Sequence, residues 1–108
     1  MANHVLVLTS AGSDEEAGRI AQAMVERGLA ACASLFSMVR SIYLWKGALE
    51  DHQETMILFK TRADAFPALE AAIREVHSYE LPEVIAIPIE QGSRAYLSWI
   101  DETVTKPT

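Results

Sequence analysis

The sequence is poor in cysteine, in basic residues and in long apolar runs. A single cysteine, Cys32, among 108 residues excludes an intrachain disulfide framework and favours a reducing compartment. Nine Lys and Arg stand against 15 Asp and Glu, and the resulting net charge of −6 argues against binding to a phosphate backbone. The first apolar run, residues 5–8, is far shorter than a membrane span or a signal-peptide core. We therefore expect a cytoplasmic protein with no nucleic-acid partner and no membrane partner.

The chain does contain the apolar patterns of a packed core. Half of its residues are hydrophobic, and residues 4–9 and 83–89 are continuous apolar stretches typical of strands buried on both faces. Between the strands, Ser13 and Glu16 match a capping box at the start of a helix, and Gly28 is placed to end that helix. A second amphipathic helix and a short C-terminal helix are indicated further along the chain.

Residues 29–60 have the pattern of a long β-hairpin. Two segments rich in β-branched and aromatic residues flank a turn at Lys46 and Gly47, and neither segment contains a proline. A strand over residues 31–46 would span roughly 50 Å at about 3.3 Å per residue, whereas a compact domain of this size is only about 34 Å across. The hairpin must therefore bend or extend onto another surface.

Both faces of this hairpin require burial. Along residues 42–45 successive apolar side chains point to opposite faces, and residues 56–59 repeat the pattern. Two helices cannot cover both faces of a sheet in so short a chain, so we expect neighbouring subunits to cover one of them. The residues predicted to lie in a subunit interface are Tyr43, Trp45, Ile57 and Phe59.

The predicted order of elements is β-α-β-β-α-β followed by a terminal helix. This order predicts an α+β, ferredoxin-like sandwich with an extended β2-β3 hairpin, folded as a single domain over residues 1–108. Right-handed crossovers put both main helices on the same face of the antiparallel sheet. The opposite face is predicted to be bare and to form an oligomer interface.

Four motifs give the chain a resemblance to a known family. They are Ala-Ala-Cys at residues 30–32, Ser-Ile-Tyr-Leu-Trp-Lys-Gly at 41–47, His-Ser-Tyr-Glu-Leu-Pro-Glu at 77–83 and Tyr-Leu-Ser-Trp at 96–99. With these motifs in family order over nearly the whole chain, it resembles the CutA divalent-cation-tolerance family. The resemblance implies a ferredoxin-like subunit in a tight homotrimer, cytoplasmic in bacteria and associated with tolerance to copper and other divalent cations.

Two functions follow from this resemblance. The first is a trimeric divalent-cation tolerance protein that binds copper or another divalent metal ion and takes part in the response to metal ions. The alternative is a signalling or scaffold trimer, similar to the PII proteins, with a small ligand in the cleft between subunits. We expect no enzyme, because no Ser-His-Asp arrangement, metal-hydrolase spacing or nucleotide-binding loop is present, and no organic cofactor.

The resemblance also implies site residues. The copper site of some members has a thiol at the end of the first strand and a His-His pair before the fourth; here those positions hold Thr9 and Val76, and only His77 is retained. The metal candidates are therefore His77 and Cys32, although His77 could instead bond the carbonyls at a helix end and Cys32 could be a buried small hydrophobe. The resemblance places in the cleft, as ligand-binding candidates, Lys60, Tyr79 and Glu83.

Overall fold

The structure, a computed structural model, describes residues 2–105, so both ends of the predicted 1–108 domain lie outside the described residues. Its strands form one antiparallel sheet in the order β2-β3-β1-β4, which confirms the ferredoxin-like prediction. None of the helices in this range is long and apolar enough to cross a membrane. The elements in chain order are β1 (His4–Ala11), α1 (Asp14–Glu26), β2 (Cys32–Trp45), β3 (Ala48–Arg62), a 3-10 turn (Ala63–Ala65), α2 (Phe66–Val76), β4 (Ile85–Pro88) and α3 (Arg94–Thr103).

Helix α1 begins and ends where its capping residues predict. The Ser13 hydroxyl accepts a hydrogen bond from the Glu16 backbone N–H at 3.1 Å, and this contact confirms the N-cap. The Glu16 carboxylate, which a capping box would direct back to the Ser13 backbone N–H, instead accepts two hydrogen bonds from Ser78. At the other end Gly28 has φ +73°, and a Cβ there would lie 2.2 Å from Thr105 Oγ1. Both the left-handed backbone and the close approach require glycine.

One face of the sheet packs under α1 and α2 and forms the main core. Phe59 of β3 pairs with Val7 of β1, Ile57 pairs with Thr9, and all four side chains are fully buried within the single chain. The prediction that Ile57 and Phe59 lie in a subunit interface is therefore wrong, because the helices of the same chain already cover them. The helix residues buried on this side include Ile20, Met24, Leu69 and Ile73.

The opposite face of the sheet, which we call the open face, carries the alternate residues of the same strands. One row across the sheet aligns Leu58 of β3 with Leu8 of β1 and Ile85 of β4. Leu8 and Leu58 are only partly buried, and Ile85 and Ile87 of β4 are 48% and 42% exposed. The predicted apolar open face is therefore present.

The β2-β3 hairpin extends well beyond the rest of the sheet. Pairing between β1 and β3 ends at Thr55, so residues 48–54 of β3 pair with β2 alone, and the molecule measures 44 × 25 × 22 Å. Positive φ angles at Lys46 and Gly47 give the two-residue turn that matches strand twist. A bulge next to Met38, which has φ 60°, adds a kink to β2. The hairpin thus both bends and extends outward.

Candidate ligand-binding groove

A groove with a volume of about 720 Å³ lies where the hairpin leaves the sheet. One wall is the hairpin, the floor includes the end of β1, and the other wall is the connection between α2 and β4, residues 77–84, which we call the α2-β4 loop. Because side chains alternate along a strand, Ser41, Tyr43 and Glu54 lie on the same side of the hairpin as the open face. The lining residues are Ser10, Ser41, Ile42, Tyr43, Trp45, Glu54, Ser78, Tyr79, Glu80, Leu81 and Glu83.

His77 fixes the start of the α2-β4 loop. Its Nε2 lies 2.6 Å from the Ser10 carbonyl oxygen, and its Nδ1 lies 3.0 Å from the Tyr79 backbone nitrogen. A carbonyl only accepts and a backbone N–H only donates, so the proton must be on Nε2 and the lone pair of Nδ1 is already used. The side chain is also fully buried. His77 is therefore a structural residue with no lone pair left for a metal ion.

Glu16 at the start of α1 holds the next residue of the loop. Its two carboxylate oxygens accept from the Ser78 backbone N–H and hydroxyl, both at 2.9 Å. Burial raises the pKa of Glu16, but the hydrogen bonds from Ser78 and from the backbone outweigh that effect and leave the pKa lowered. The ionised carboxylate thus anchors the loop to the helix.

Tyr79 connects the α2-β4 loop to the hairpin through a hydrogen bond. Its hydroxyl donates a 2.6 Å hydrogen bond to Oε2 of Glu54, and the Ser10 hydroxyl donates to the same oxygen at 3.3 Å. Burial first, and then the hydrogen bond to the Glu54 carboxylate, raises the pKa of Tyr79 above its ordinary value of 10. The phenol is therefore neutral and acts as a hydrogen-bond donor.

Glu83 adds a second carboxylate to the groove. Burial is the main cause that raises its carboxyl pKa, and repulsion from Glu54 raises it further. The Glu54 carboxylate is therefore near enough to disfavour the charge of Glu83.

The rim of the groove already holds a cation from the chain itself. The Lys46 ammonium, in the hairpin turn, lies 5.4 Å from the centroid of the Trp45 ring and 3.4 Å from Oε2 of Glu80. An aromatic face and a carboxylate are the two groups that attract an ammonium ion in proteins. The Glu80 carboxylate at the rim is thus already paired within the chain.

The two predicted metal ligands do not meet. Cys32 is partly exposed rather than buried, and its sulfur lies 3.7 Å from the Lys60 ammonium, in the row of the sheet that contains Leu6. His77 contacts Ser10, which is four residues further along β1 and so roughly 13 Å away along the strand. Within residues 2–105 no three His, Cys, Asp or Glu side chains are grouped to hold a metal ion. Within one chain His77 and Cys32 are therefore too far apart to share a copper ion, and each stays a separate prediction.

The structure brings together only part of the predicted cleft. Tyr79 and Glu83 line the groove as expected, but Lys60 lies beside Cys32 and away from it. Tyr43 and Trp45, predicted as interface residues, line the groove and keep part of their surface exposed.

Sequence reasoning missed Glu54, the most buried carboxylate of the groove. Its position did not single it out, because the stripe of β3 that holds Glu54, Met56 and Leu58 also holds Glu50 and His52.

Comparisons with known proteins agree with this fold. The CutA1 divalent ion tolerance protein family matches residues 5–103. The divalent-cation tolerance protein CutA of Thermus thermophilus is 42% identical over 97 residues, which cover 90% of this chain and 94% of that protein. Protein CutA of Mus musculus is 44% identical over 90 residues, 83% of this chain, but the match spans only 51% of the mouse protein.

A solved structure supports the same assignment. The structure of the divalent cation tolerance protein Cut A1 from Thermus thermophilus superimposes with a TM-score of 0.92 at 40% identity, covering 94% of this chain and 99% of that one. The sheet and helices of this chain thus have the fold of that structure. The chain belongs to the CutA1 divalent ion tolerance protein family.

Proposed function

We propose that this protein acts as a cytoplasmic homotrimer in the response to divalent metal ions, with the open face as its subunit interface. The observation that carries the proposal is the incomplete burial of apolar strands: Ile85 and Ile87 on β4 remain 48% and 42% exposed on the open face of one chain. Contiguous apolar surface of this kind on a globular chain marks an interaction site. Closed symmetric assembly buries the same surface on every copy.

The groove is the ligand site that this trimer would use. It opens on the side of the open face, at the base of the hairpin, so that a neighbouring subunit on that face would complete its wall. Its chemistry, a buried carboxylate, a neutral phenol and two aromatic rings, suits recognition of a small molecule. This favours a sensing role, similar to that of the PII proteins, over storage of copper. We propose no enzymatic activity.

A second candidate is direct binding of a divalent cation in the same groove. The observation that favours it is the presence of the Glu54 and Glu83 carboxylates in the lining of one groove. Oxygen donors of this type suit hard cations such as Mg²⁺ better than Cu²⁺, which prefers imidazole and thiolate.

Sedimentation equilibrium of the purified protein tests the assembly. We expect a species of three times the chain mass of 11.9 kDa at micromolar concentration. A protein that stays monomeric there overturns the proposal, and a stable dimer would contradict the trimeric part of it.

Calorimetric titration with Cu(II), Zn(II) and Mg(II) tests the metal. We expect any Cu(II) binding to be equal in the wild type, His77→Ala and Cys32→Ser, because neither residue offers a free ligand in a shared site. A loss of Cu(II) binding in both variants, with folding and assembly retained, would restore the copper site that the geometry argues against.

A further inference from the structure

Two consecutive residues of β3 hold the base of the hairpin from opposite faces of the sheet. Because side chains alternate along a strand, Glu54 points to the open face and Thr55 to the helix-covered face. The Glu54 carboxylate accepts a hydrogen bond from Tyr79 of the α2-β4 loop. The Thr55 hydroxyl, in a residue that is only 3% exposed, donates to Oδ1 of Asp14, the first residue of α1. The base of the hairpin is thus bonded to a loop on one side and to a helix on the other.

Asp14 binds both strands of the hairpin. The same Oδ1 accepts a second hydrogen bond, of 2.8 Å, from the hydroxyl of Ser37 on β2. The hydrogen bond from Thr55, and then that from Ser37, lowers the pKa of the Asp14 carboxyl, so both donors face an ionised acceptor at neutral pH. We call the contacts of Asp14 with Ser37 and Thr55, together with the contact between Glu54 and Tyr79, the hairpin clamp.

The clamp lies where the backbone pairing of the hairpin is interrupted. Pairing between β1 and β3 ends at Thr55, and the register of β2 against β3 shifts between Phe36 and Val39. Met38, inside this bulge, has φ 60°, a left-handed conformation that is uncommon for a residue with a side chain. A bulge disrupts the ladder locally and bends its strand, so the direction of the hairpin depends on the side-chain contacts beside it.

Residues 39–53, which we call the hairpin arm, have few polar contacts with the rest of the chain. In the described part of the chain, their hydrogen bonds and ion pairs to residues outside the hairpin reduce to the pair between Lys46 and Glu80. The two side chains of that pair are 68% and 72% exposed, and exposed ion pairs contribute little to stability. The clamp is therefore the main polar contact that fixes the direction of the arm.

We propose that the hairpin clamp positions the arm for assembly, so that a second copy of the chain meets a surface that is already formed. The proposal rests on the subunit interface of the proposed function. The open face continues onto the arm, where Tyr43 and Trp45 lie on the same side. An arm already held in one direction loses less conformational freedom when another subunit covers it, and this strengthens association. Asp14 and Tyr79 act here as positioning residues within their own chain.

Hydrogen-exchange mass spectrometry of the full-length protein tests the clamp. Tyr79→Phe removes the hydroxyl that bonds Glu54 on the open-face side, and Thr55→Val removes the hydroxyl that bonds Asp14 on the helix-covered side. In each sample the amides of the arm are compared with those of β1. We expect the arm amides to exchange about three- to tenfold faster in each variant and those of β1 to change far less, because the lost hydrogen bond holds the arm alone.

Sedimentation equilibrium measures assembly, at a urea concentration that leaves half of the wild-type chains assembled. We expect Tyr79→Phe and Thr55→Val each to raise the protein concentration needed for half assembly about three- to tenfold. Thr61→Val is the matched control, since Thr61 is a buried residue at the opposite end of β3 whose hydroxyl donates to the Leu29 carbonyl. It should lower stability without faster exchange confined to the arm, and it should affect assembly less. Thr55→Ser, which keeps the hydroxyl, should restore both readouts.

Two results would overturn the inference. One is exchange of the arm amides in Tyr79→Phe and Thr55→Val that is no faster than in Thr61→Val. The other is faster exchange confined to the arm together with assembly that matches the wild type. The oligomeric state of the wild type keeps this outcome separate from the proposed function. A monomeric wild type rejects the proposed assembly itself, whereas a trimer in which these variants leave the arm unchanged rejects the clamp alone.

Discussion

The two faces of the sheet have nearly the same hydrophobic composition but very different environments. On the helix-covered face Val7, Ile57 and Phe59 are completely buried, whereas on the open face Leu8, Leu58 and Ile85 keep part of their surface exposed. These residues alternate along the same strands, so the strand sequence alone does not distinguish the two faces. The difference arises from α1 and α2, which both lie on one side. The helix-covered face is completely buried within one chain, whereas burial of the open face requires another subunit.

The hairpin extends this contrast beyond the sheet. Near its turn neither face is covered by the helices of the chain, and Leu44 and Leu49 are 74% and 71% exposed. At its base, where the open face meets the α2-β4 loop, the groove combines apolar and acidic surface. The apolar surface that a single chain leaves exposed is thus next to the candidate ligand-binding groove.

The strongest test of the contrast is Phe59→Ala. Phe59 is fully buried in the core of a single chain, so its truncation should lower the free energy of unfolding by about 3–5 kcal/mol through lost burial and a cavity. Urea unfolding monitored by circular dichroism measures the loss. The effect should be similar at all protein concentrations, and a loss that appears only at low concentration would place Phe59 in an interface after all.

His77→Ala tests whether the α2-β4 loop, which forms one wall of the groove, is stabilised by contacts within a single chain. The variant removes the acceptor of the Tyr79 N–H and the donor to Ser10, and it leaves buried backbone groups unpaired, so we expect a loss of about 1–3 kcal/mol. His52→Ala, on the exposed hairpin, is the control and should cost far less. Equal unfolding curves for the two variants would contradict a structural role for His77.

The pattern of the strands was sufficient to predict the fold. Period-two alternation, the cap at Ser13 and the glycine at Gly28 are local features, and each determines its own element within a few residues. The assignment of Ile57 and Phe59 to an interface was wrong because alternation gives two faces without saying which of them the helices cover. That choice depends on the handedness of the crossovers and on packing.

The site was harder to predict because its contacts join residues far apart in the chain. Tyr79 and Glu83 were identified from the motif around them, but Glu54 meets Tyr79 only after the hairpin folds back beside the α2-β4 loop. The two bonds of His77, to Ser10 and to Tyr79, likewise depend on tertiary geometry. A histidine in a sequence does not reveal whether its nitrogens are already occupied.

Leu58→Ala tests the open face directly. Leu58 is the neighbour of Phe59 on the opposite side of β3 and is only partly buried in one chain, so we expect a loss of about 1–2 kcal/mol per chain. Unlike the loss in Phe59→Ala, it should grow as the protein is diluted, because the affected contacts lie between subunits. Sedimentation at several concentrations, run with both variants, measures the difference. An unfolding midpoint of Leu58→Ala that does not depend on concentration would remove the open face from the interface.

The smallest expected effect concerns the stability of the Glu83→Gln variant. Its pKa is raised above the ordinary 4.5 in the folded protein, so between these two values the folded state holds more protons than the unfolded state and stability falls as the pH rises. At pH 7 the charged carboxylate is therefore unfavourable, and Glu83→Gln should stabilise the protein slightly, by less than about 1 kcal/mol because the group is largely exposed to solvent. At pH 4, where Glu83 is mostly protonated, the difference from the wild type should shrink. Urea unfolding of the wild type and Glu83→Gln at both pH values measures this, with Glu26→Gln as the control because Glu26 is an exposed carboxylate at the end of α1. If Glu83→Gln is destabilising at pH 7, the carboxylate has a favourable partner within the protein, and burial is not what decides its pKa.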